Sequence, residues 1–487
     1  MEFRFRSSET FSPAESLFVM APIRCLTVGL IFLFSIHFAY AQSARVSNAT
    51  IARQSQATLD EAASASGPGV AVLIARGDQI IFRSARGQAN IELGVPLSPD
   101  HLFRIASITK MFVAALVIKL SETGELSLDD TLSRFLPDFP NAAKITIRQL
   151  LSHTAGISDQ VPVGSEQPGF SRRDVDTSVL IREIAKRPPL FNPGSNQSYS
   201  NAGYIILGAV IEKVTGKPWY TALDERLLKP LGLKNTTYGL ATKLLLGRVS
   251  GYTTDTQDHL PANASFISMT IPAAAGALIS TLDDLRRWMY FLVHERVINK
   301  ADFQQMITPA TLPQGEPDNP YGFGTYIWRV RGETVIGHTG QIDGFASVLI
   351  YLPSRDITIV ALGNDDNFDA QSFGRRIAAI TLGDPYPSVK SVPIAAADLE
   401  ALSGQYRDGG RLITVLAKDG KLYWKREGRN PIPLQMTVTG ELHFVPDELT
   451  YMVPVRDPFG KVVRLDYFSH GEGPPRQLTR IEYALPR

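Results

Sequence analysis

The segment from Arg104 to Leu120 constrains the fold of this chain more than any other part of the sequence. Every position between Met111 and Ile118 is apolar, so a helix here has no polar face to turn toward water. Such a helix must be covered on all sides, which requires a large domain built around it. Gly124 follows the segment, and two polar residues, Ser107 and Lys110, stand at its start.

Strand-like and helix-like segments follow one another in an informative order. Val70 to Ala75 and Gln79 to Arg83 flank Arg76-Gly77-Asp78 and predict a hairpin. Further helices are predicted at Ile205 to Val214 and from the N-cap Thr281 to about Leu292, and further strands at Val335-Ile336, Ala346 to Leu352 and Ile357 to Leu362. Strands thus precede and follow a helical middle. This order predicts the α+β class, with an antiparallel sheet closed by both chain ends and flanked by helices.

The two ends of the chain differ from this middle. Residues 383–397 are rich in proline and predict a linker between a domain at 47–382 and a domain at 398–487. The last part shows short alternating runs with little helical periodicity, which is typical of a small all-β barrel or sandwich.

Residues 1–41 are predicted to be a signal peptide. The apolar run from Leu26 to Phe38 is too short to span a bilayer comfortably, and a small-x-small site follows it, so we expect cleavage after Ala41 and export to the periplasm or the medium. Acidic residues precede Met20, which favours Met20 as the true start over a long natural n-region. An uncleaved membrane anchor is a further alternative. Cleavage would remove the only cysteine, Cys25.

Composition narrows the partners. The 487 residues carry a formal net charge of only +1, so the sequence predicts neither nucleic-acid binding nor general attraction to an anionic membrane. No histidine of the mature chain forms a helical pair with a glutamate, and we predict neither a metal site nor a cofactor. The oligomeric state stays open.

Ser107 and Lys110 form the first chemical motif. Three positions apart, they share one helix face within hydrogen-bond reach, and apolar surroundings should lower the pKa of the lysine so that it can act as a base. The alternative is an N-cap serine beside a lysine that reaches solvent.

Tyr199 and Asn201 form the second motif, in a loop before a helix. A phenol beside a nucleophile can pass a proton to the leaving group, and the amide can bind substrate and hold Lys110. The alternative is a tyrosine packed on the core next to an N-cap asparagine.

His338-Thr339-Gly340 begins a strand and is followed by Gln341. A glycine here lets substrate backbone approach closely, and the Gln341 N–H can act as an oxyanion donor. A histidine with a purely structural role is the alternative.

In this order the three motifs resemble those of the serine β-lactamase and penicillin-binding-protein superfamily. Tyr199 in the middle motif is similar to the class C branch, with its D-aminopeptidases, D-alanyl-D-alanine carboxypeptidases and esterases. The segments from Leu150 to Ile157 and from Gly337 to Phe345 also resemble that branch, and the likeness covers about Ile51 to Leu382.

The resemblance implies the β-lactamase-like fold with an all-α subdomain, and a C-terminal domain like the lipocalin-like barrels of some members. It implies Ser107 as nucleophile, Lys110 and Tyr199 as the acid/base pair, and the Ser107 and Gln341 N–H groups as the oxyanion hole. Asn201, His338, Thr339, Gly340 and, in a class C-like segment, Gln160 would contact substrate. His153 would be structural.

One departure shapes the functional prediction. His338 stands where β-lactamases and carboxypeptidases carry a lysine, and a histidine is mostly neutral at neutral pH. We therefore expect an exported serine hydrolase that forms an acyl-Ser107 intermediate with esters, amides or peptides and has weak β-lactamase activity. The alternatives are a D-alanyl-D-alanine carboxypeptidase, a class C-type β-lactamase, or a non-turnover sensor that binds penicillin or peptides.

Overall fold

The computed structural model describes residues 46–159, 169–254, 260–313, 315, 320–445 and 447–481. The predicted signal peptide and Gln160 lie outside these residues. In the part described, no helix combines the length and the apolar character needed to cross a bilayer.

The helices gather mainly in the first two thirds of the chain. They are α1 (Asn48–Ala62), α2 (Thr109–Glu122), α3 (Ile147–Leu151), α4 (Thr177–Ala185), α5 (Asn201–Thr215), α6 (Trp219–Leu223), α7 (Ala273–Gly276), α8 (Leu282–Val293), α9 (Lys300–Met306), α10 (Ala370–Leu382) and α11 (Ala396–Leu402). The Thr281 side chain caps α8 by accepting from Asp284 N, as predicted. Helix α5 begins at Asn201, four residues before the predicted start, because Ser200 caps it through Gly203 N.

The main sheet is antiparallel and joins both ends of the part of the chain from residue 46 to residue 382. Its strands are β1 (Val70–Arg76), β2 (Gln79–Arg86), β3 (Tyr326–Val330), β4 (Glu333–Ile342), β5 (Phe345–Leu352) and β6 (Ile357–Gly363). They lie in the order β3-β4-β5-β6-β1-β2, so β1 pairs with β6. The predicted α+β fold, with its sheet closed by both chain ends, is confirmed.

Short strands complete this part of the chain: Gln88–Asn90, Val95–Pro96, Phe103–Arg104, Thr237–Tyr238, Tyr252–Thr254, Pro261–Asn263 and Leu278–Ser280. One apolar cluster joins an inner face of the main sheet to α2, α5 and α8, and a second joins the other face to α1 and α10.

Helix α2 is the buried core of the domain, as its sequence predicts. All its residues from Thr109 to Ile118 are buried. The Phe112 ring stacks on Trp288 of α8 at 3.9 Å between ring centroids. The helix starts later than expected, because Ala106–Ile108 forms a 3₁₀ turn, so Ser107 lies in a tight turn that leads into α2.

The C-terminal part is a closed eight-stranded barrel. Its strands are Gly404–Asp408, Arg411–Lys418, Lys421–Arg426, Ile432–Thr437, Leu442–Phe444, Asp447–Arg456, Val462–Phe468 and Arg476–Arg480. Each pairs with the next, and the last pairs with the first. Side chains such as Tyr406, Trp424 and Met452 fill the interior. Within the predicted linker, Ser391–Val392 pairs with the barrel strand Ile432–Thr437, and α11 begins at Ala396.

Polar contacts attach the barrel to the preceding part of the chain. The Ser372 hydroxyl of α10 donates to Asp447 at 2.9 Å. Glu472 accepts from the backbone N–H of Arg331 at 2.8 Å and from the Tyr386 hydroxyl. Arg331 lies in the turn between β3 and β4, so the barrel contacts the turn of the hairpin that carries His338.

Candidate active site

The Ser107 turn is held against strand β4 by a close backbone approach. A Cβ added at Gly340 would lie 2.3 Å from the Ile105 carbonyl oxygen, so only glycine fits there. The Ser347 hydroxyl of β5 donates to the same carbonyl at 3.0 Å. Ala106 has φ +45°, a strained value for a residue with a side chain. The strain and the close packing fix Ser107 beside the strand, with its side chain partly exposed.

Lys110 is fully buried, and three acceptors surround its amine. Nζ lies 2.9 Å from Ser107 Oγ, 2.7 Å from Asn201 Oδ1 and 2.7 Å from the Ala275 carbonyl oxygen. The last two can only accept, so they take the two N–H bonds of a neutral amine. Its lone pair then faces Ser107 Oγ, which is the geometry a general base needs.

Burial also gives Lys110 the right proton affinity. Desolvation lowers its pKa from 10.5 to about 7, although the carboxylate of Asp159 opposes the shift. A substantial fraction of the Lys110 amine is therefore neutral at pH 7, although a carboxylate lies nearby.

Tyr199 completes a triangle with Ser107 and Lys110. The Ser107 side chain interacts with its hydroxyl and partly opposes the rise in its pKa, and Lys110 Nζ lies 4.8 Å from its ring centroid. Part of the side chain remains accessible, but burial of the phenol raises its pKa well above 10. The resting enzyme therefore holds Tyr199 as a proton donor, and Lys110 is the group that can accept a proton.

Asn201 is oriented by a carboxylate that the sequence analysis did not single out. Asp159 accepts from the Asn201 backbone N–H and, at 3.2 Å, from its side-chain Nδ2. This leaves Oδ1 facing Lys110 and one N–H of the amide for a substrate carbonyl. A carboxylate just after the Ser-His-Thr-Ala-Gly-Ile turn was the available signal, but nothing in its spacing connects it with Asn201.

His338 is buried and neutral. Its Nδ1 donates to the Thr339 carbonyl, so Nε2 accepts from the Tyr321 hydroxyl at 3.0 Å. Burial, reinforced by the charge of Lys110, lowers its pKa to about 3. The site therefore has no fixed positive charge at position 338. This agrees with the expectation from sequence that His338 is mostly neutral at neutral pH. Tyr321 and Tyr326, whose rings pack on His338, were also missed.

Half of strand β4 offers an open edge beside the nucleophile. Strand β3 pairs only with residues 333–337, and among the described residues no strand covers 338–342 on that side. Thr339, Gly340 and Gln341 lie on this half, while the Gln341 side chain is turned away to donate to the Asp366 carbonyl at 2.8 Å. An extended substrate can add to this edge through its backbone.

The structure thus brings Ser107, Lys110, Tyr199, Asn201 and the His338–Gln341 segment together. The chain matches the family model "Beta-lactamase" over residues 51–382. This protein belongs to the β-lactamase family. It is a serine hydrolase, as the three motifs predicted.

Relatives with named activities include an esterase and an amidohydrolase. The chain is 38% identical to esterase EstB of Burkholderia gladioli over 181 residues, which are 34% of this chain and 46% of EstB. A D-stereospecific amidohydrolase from Streptomyces sp. superposes with a TM-score of 0.60 and 28% identity, over 69% of this chain and 99% of that one.

A third similarity includes the C-terminal part. The octameric penicillin-binding protein homologue from Pyrococcus abyssi has a TM-score of 0.62 and 22% identity, over 89% of this chain and all of its own length. The similarity therefore extends beyond the segment that matches the β-lactamase family, and it shows the fold alone.

Proposed function

We propose that this β-lactamase family member hydrolyses ester or amide bonds through an acyl-Ser107 intermediate. The observation that carries the proposal is the Lys110 amine, buried 2.9 Å from Ser107 Oγ with its two other contacts to obligate acceptors. Burying a lysine amine costs free energy of folding. Removal of the Ser107 proton is the function that accounts for this cost.

In the acylation step, neutral Lys110 takes the Ser107 proton as Oγ attacks the substrate carbonyl carbon. The backbone N–H groups of Ser107 and Gln341 stabilise the oxyanion that forms. As the bond to the leaving group breaks, the Tyr199 hydroxyl protonates the departing oxygen or nitrogen, and the Lys110 ammonium returns a proton to Tyr199. Water then attacks the acyl ester by the same route in reverse and frees Ser107.

The substrate proposal follows from the neutral His338. A site with no fixed cation at this position gains little from a carboxylate on the leaving-group side, so we propose esters, amides or peptides without one, and weak β-lactamase activity. The esterase and the amidohydrolase among the relatives support this class of bond. We also propose export with cleavage after Ala41, and the division into 47–382 and 398–487 joined by 383–397.

Labelling and kinetics test the proposal together. A fluorophosphonate should add once to the parent protein, at Ser107, and Ser107→Ala should neither react nor turn over a short-chain aryl ester. The parent should hydrolyse this ester faster than a cephalosporin. Full activity in Ser107→Ala would refute the mechanism, and an acyl adduct that is never released would indicate a sensor. A cephalosporin rate equal to that of dedicated resistance enzymes would refute the substrate proposal.

A further inference from the structure

His153 contacts the active-site tyrosine from a position that its sequence pattern does not reveal. It lies in the turn after α3 and is buried. Its ring packs against the ring of Tyr199 at 4.4 Å and against those of Tyr321 and Tyr204 at 4.4 and 5.2 Å between centroids. The sequence analysis expected this residue to be structural.

The polar atoms of His153 hold the chain on both sides of Tyr199. Its carbonyl oxygen accepts from the backbone N–H of Ser198 at 3.0 Å. Its Nδ1 accepts from the backbone N–H of Ser200 at 3.2 Å. The residue before the phenol and the residue after it are thus both bound to one histidine.

This arrangement carries two costs that simple packing would avoid. His153 has φ +61°, in the left-handed region that few residues other than glycine adopt. Because Nδ1 accepts, the neutral ring carries its proton on Nε2, and this buried atom has no hydrogen-bond partner among the described residues. An apolar side chain would fill the same space without leaving an unpaired N–H group. The hydrogen bond that Nδ1 accepts from Ser200 is therefore what histidine adds over an apolar residue.

The electrostatic setting keeps Nδ1 an acceptor. Burial lowers the pKa of His153 well below 6.5, and the positive charge of protonated Lys110 lowers it further. The ring therefore stays neutral across the working pH range.

We propose that His153 is a positioning residue, which fixes the Tyr199 hydroxyl against Ser107 through its Nδ1 bond to the Ser200 N–H. It touches neither substrate nor Ser107, and it acts only through Tyr199. The inference rests on the proposed function, since it assigns a role within the same acylation step.

Two substitutions of matched shape test the role. In His153→Asn the side-chain oxygen occupies the place of Nδ1 and can accept from Ser200, and asparagine tolerates the left-handed backbone. In His153→Leu a methyl group stands there and cannot accept. His443→Leu removes a buried histidine of the barrel and serves as the control.

The measurements are the rate of fluorophosphonate labelling, kcat and KM on an aryl ester, and Tm. We expect His153→Leu to label about 10- to 100-fold more slowly and to lose kcat by a similar factor with KM nearly unchanged. His153→Asn should stay within about threefold of the parent, and so should the control.

Each outcome decides the matter. If folded His153→Leu labels as fast as the parent, or if folded His153→Asn is at least tenfold slower, the positioning role is wrong. This holds for His153→Asn even where the leucine variant fails to fold. If the parent itself is not labelled, the proposed function fails, and that result is distinct from normal labelling of the parent with no effect at His153.

Discussion

Lys110 is the residue that we expect to set the pH dependence of activity. The folded chain withdraws its amine from water and lowers its pKa to about 7, whereas an unfolded chain would restore the value to 10.5. Between these two values the unfolded state binds more protons than the folded state, so this group makes the free energy of unfolding rise with pH. The same depressed pKa places neutral lysine in the range where a base is useful.

We expect kcat/KM on an aryl ester to rise with pH and level off, with a midpoint of about 7, because only the neutral amine accepts the Ser107 proton. His338, with a pKa of about 3, and Tyr199, whose pKa is well above 10, do not titrate in this range. Lys110→Arg stays protonated and should lose about 10²- to 10⁴-fold in rate. A flat profile for the parent between pH 6 and 8 would contradict this account.

Asp159→Asn probes the electrostatics of the same base. The carboxylate raises the pKa of Lys110, so its removal should move the midpoint of kcat/KM to lower pH. It also loosens Asn201, and kcat should fall by about tenfold. The exposed Asp138→Asn variant is the control and should leave the profile unchanged. A midpoint that stays in place or moves upward in Asp159→Asn would show that the two groups are not coupled.

At the scale of elements, strand β4 and the Ala106–Ile108 turn work as one unit. Gly340 lets the strand rest on the Ile105 carbonyl, two residues before Ser107. The proposed oxyanion hole, made of the Ser107 and Gln341 N–H groups, would therefore be shared between two elements that are distant in sequence. Its geometry depends on how closely their backbones approach.

Gly340→Ala should separate the two elements, because the added methyl would lie 2.3 Å from a carbonyl oxygen. A misplacement of about 1 Å can cost about 10²-fold in kcat, and we expect a loss of that order. The crowding should also lower Tm, since overpacking costs about 1–3 kcal/mol of the free energy of unfolding. Gly410→Ala has open space at its Cβ and is the control. Parent-like kcat in Gly340→Ala would show that the close approach is unnecessary.

At the scale of the whole chain, the barrel is attached to the turn of the β3–β4 hairpin and to α10. Glu472 binds the Arg331 backbone N–H and the Tyr386 hydroxyl, and Asp447 binds the Ser372 hydroxyl. These contacts lie away from Ser107 along the sheet. They should affect how firmly the two parts hold together more than they affect chemistry.

Glu472→Ala should therefore increase cleavage by a protease within residues 383–395, because the half-buried Tyr386 hydroxyl and the Arg331 N–H lose their acceptor. We expect kcat to stay within about threefold of the parent. Limited proteolysis followed by mass spectrometry measures the cleavage, with the exposed Glu427→Ala as control. Equal protection of the two variants would mean that Glu472 does not hold the barrel in place.

Sequence reasoning found those features that depend on local pattern. The buried helix α2, the cap at Thr281, the order of strands and helices and the Ser107–Lys110 spacing all follow from neighbours a few residues apart. It missed α1, and it placed the start of α5 at Ile205, whereas the helix begins at Asn201 after the Ser200 cap.

What sequence could not supply were contacts across space. The Ala275 carbonyl, Asp159, Tyr321 and the Nδ1 bond of His153 reach the site from loops and a short helix. Their conformations depend on the assembled core, and no periodicity reports them. The small strand at Ser391–Val392 is hidden for the same reason, since only its barrel partner identifies it.

The pairing of β1 with β6 has a consequence for how the chain is made. The Gly69 N–H donates to the side chain of Asn364, a residue 295 positions later. Neither β1 nor β2 can join its final sheet until that distant segment has left the ribosome, and closing so long a loop is slow. The nascent β1–β2 hairpin therefore waits without its β6 partner for most of synthesis, which leaves apolar surface exposed to aggregation during that interval.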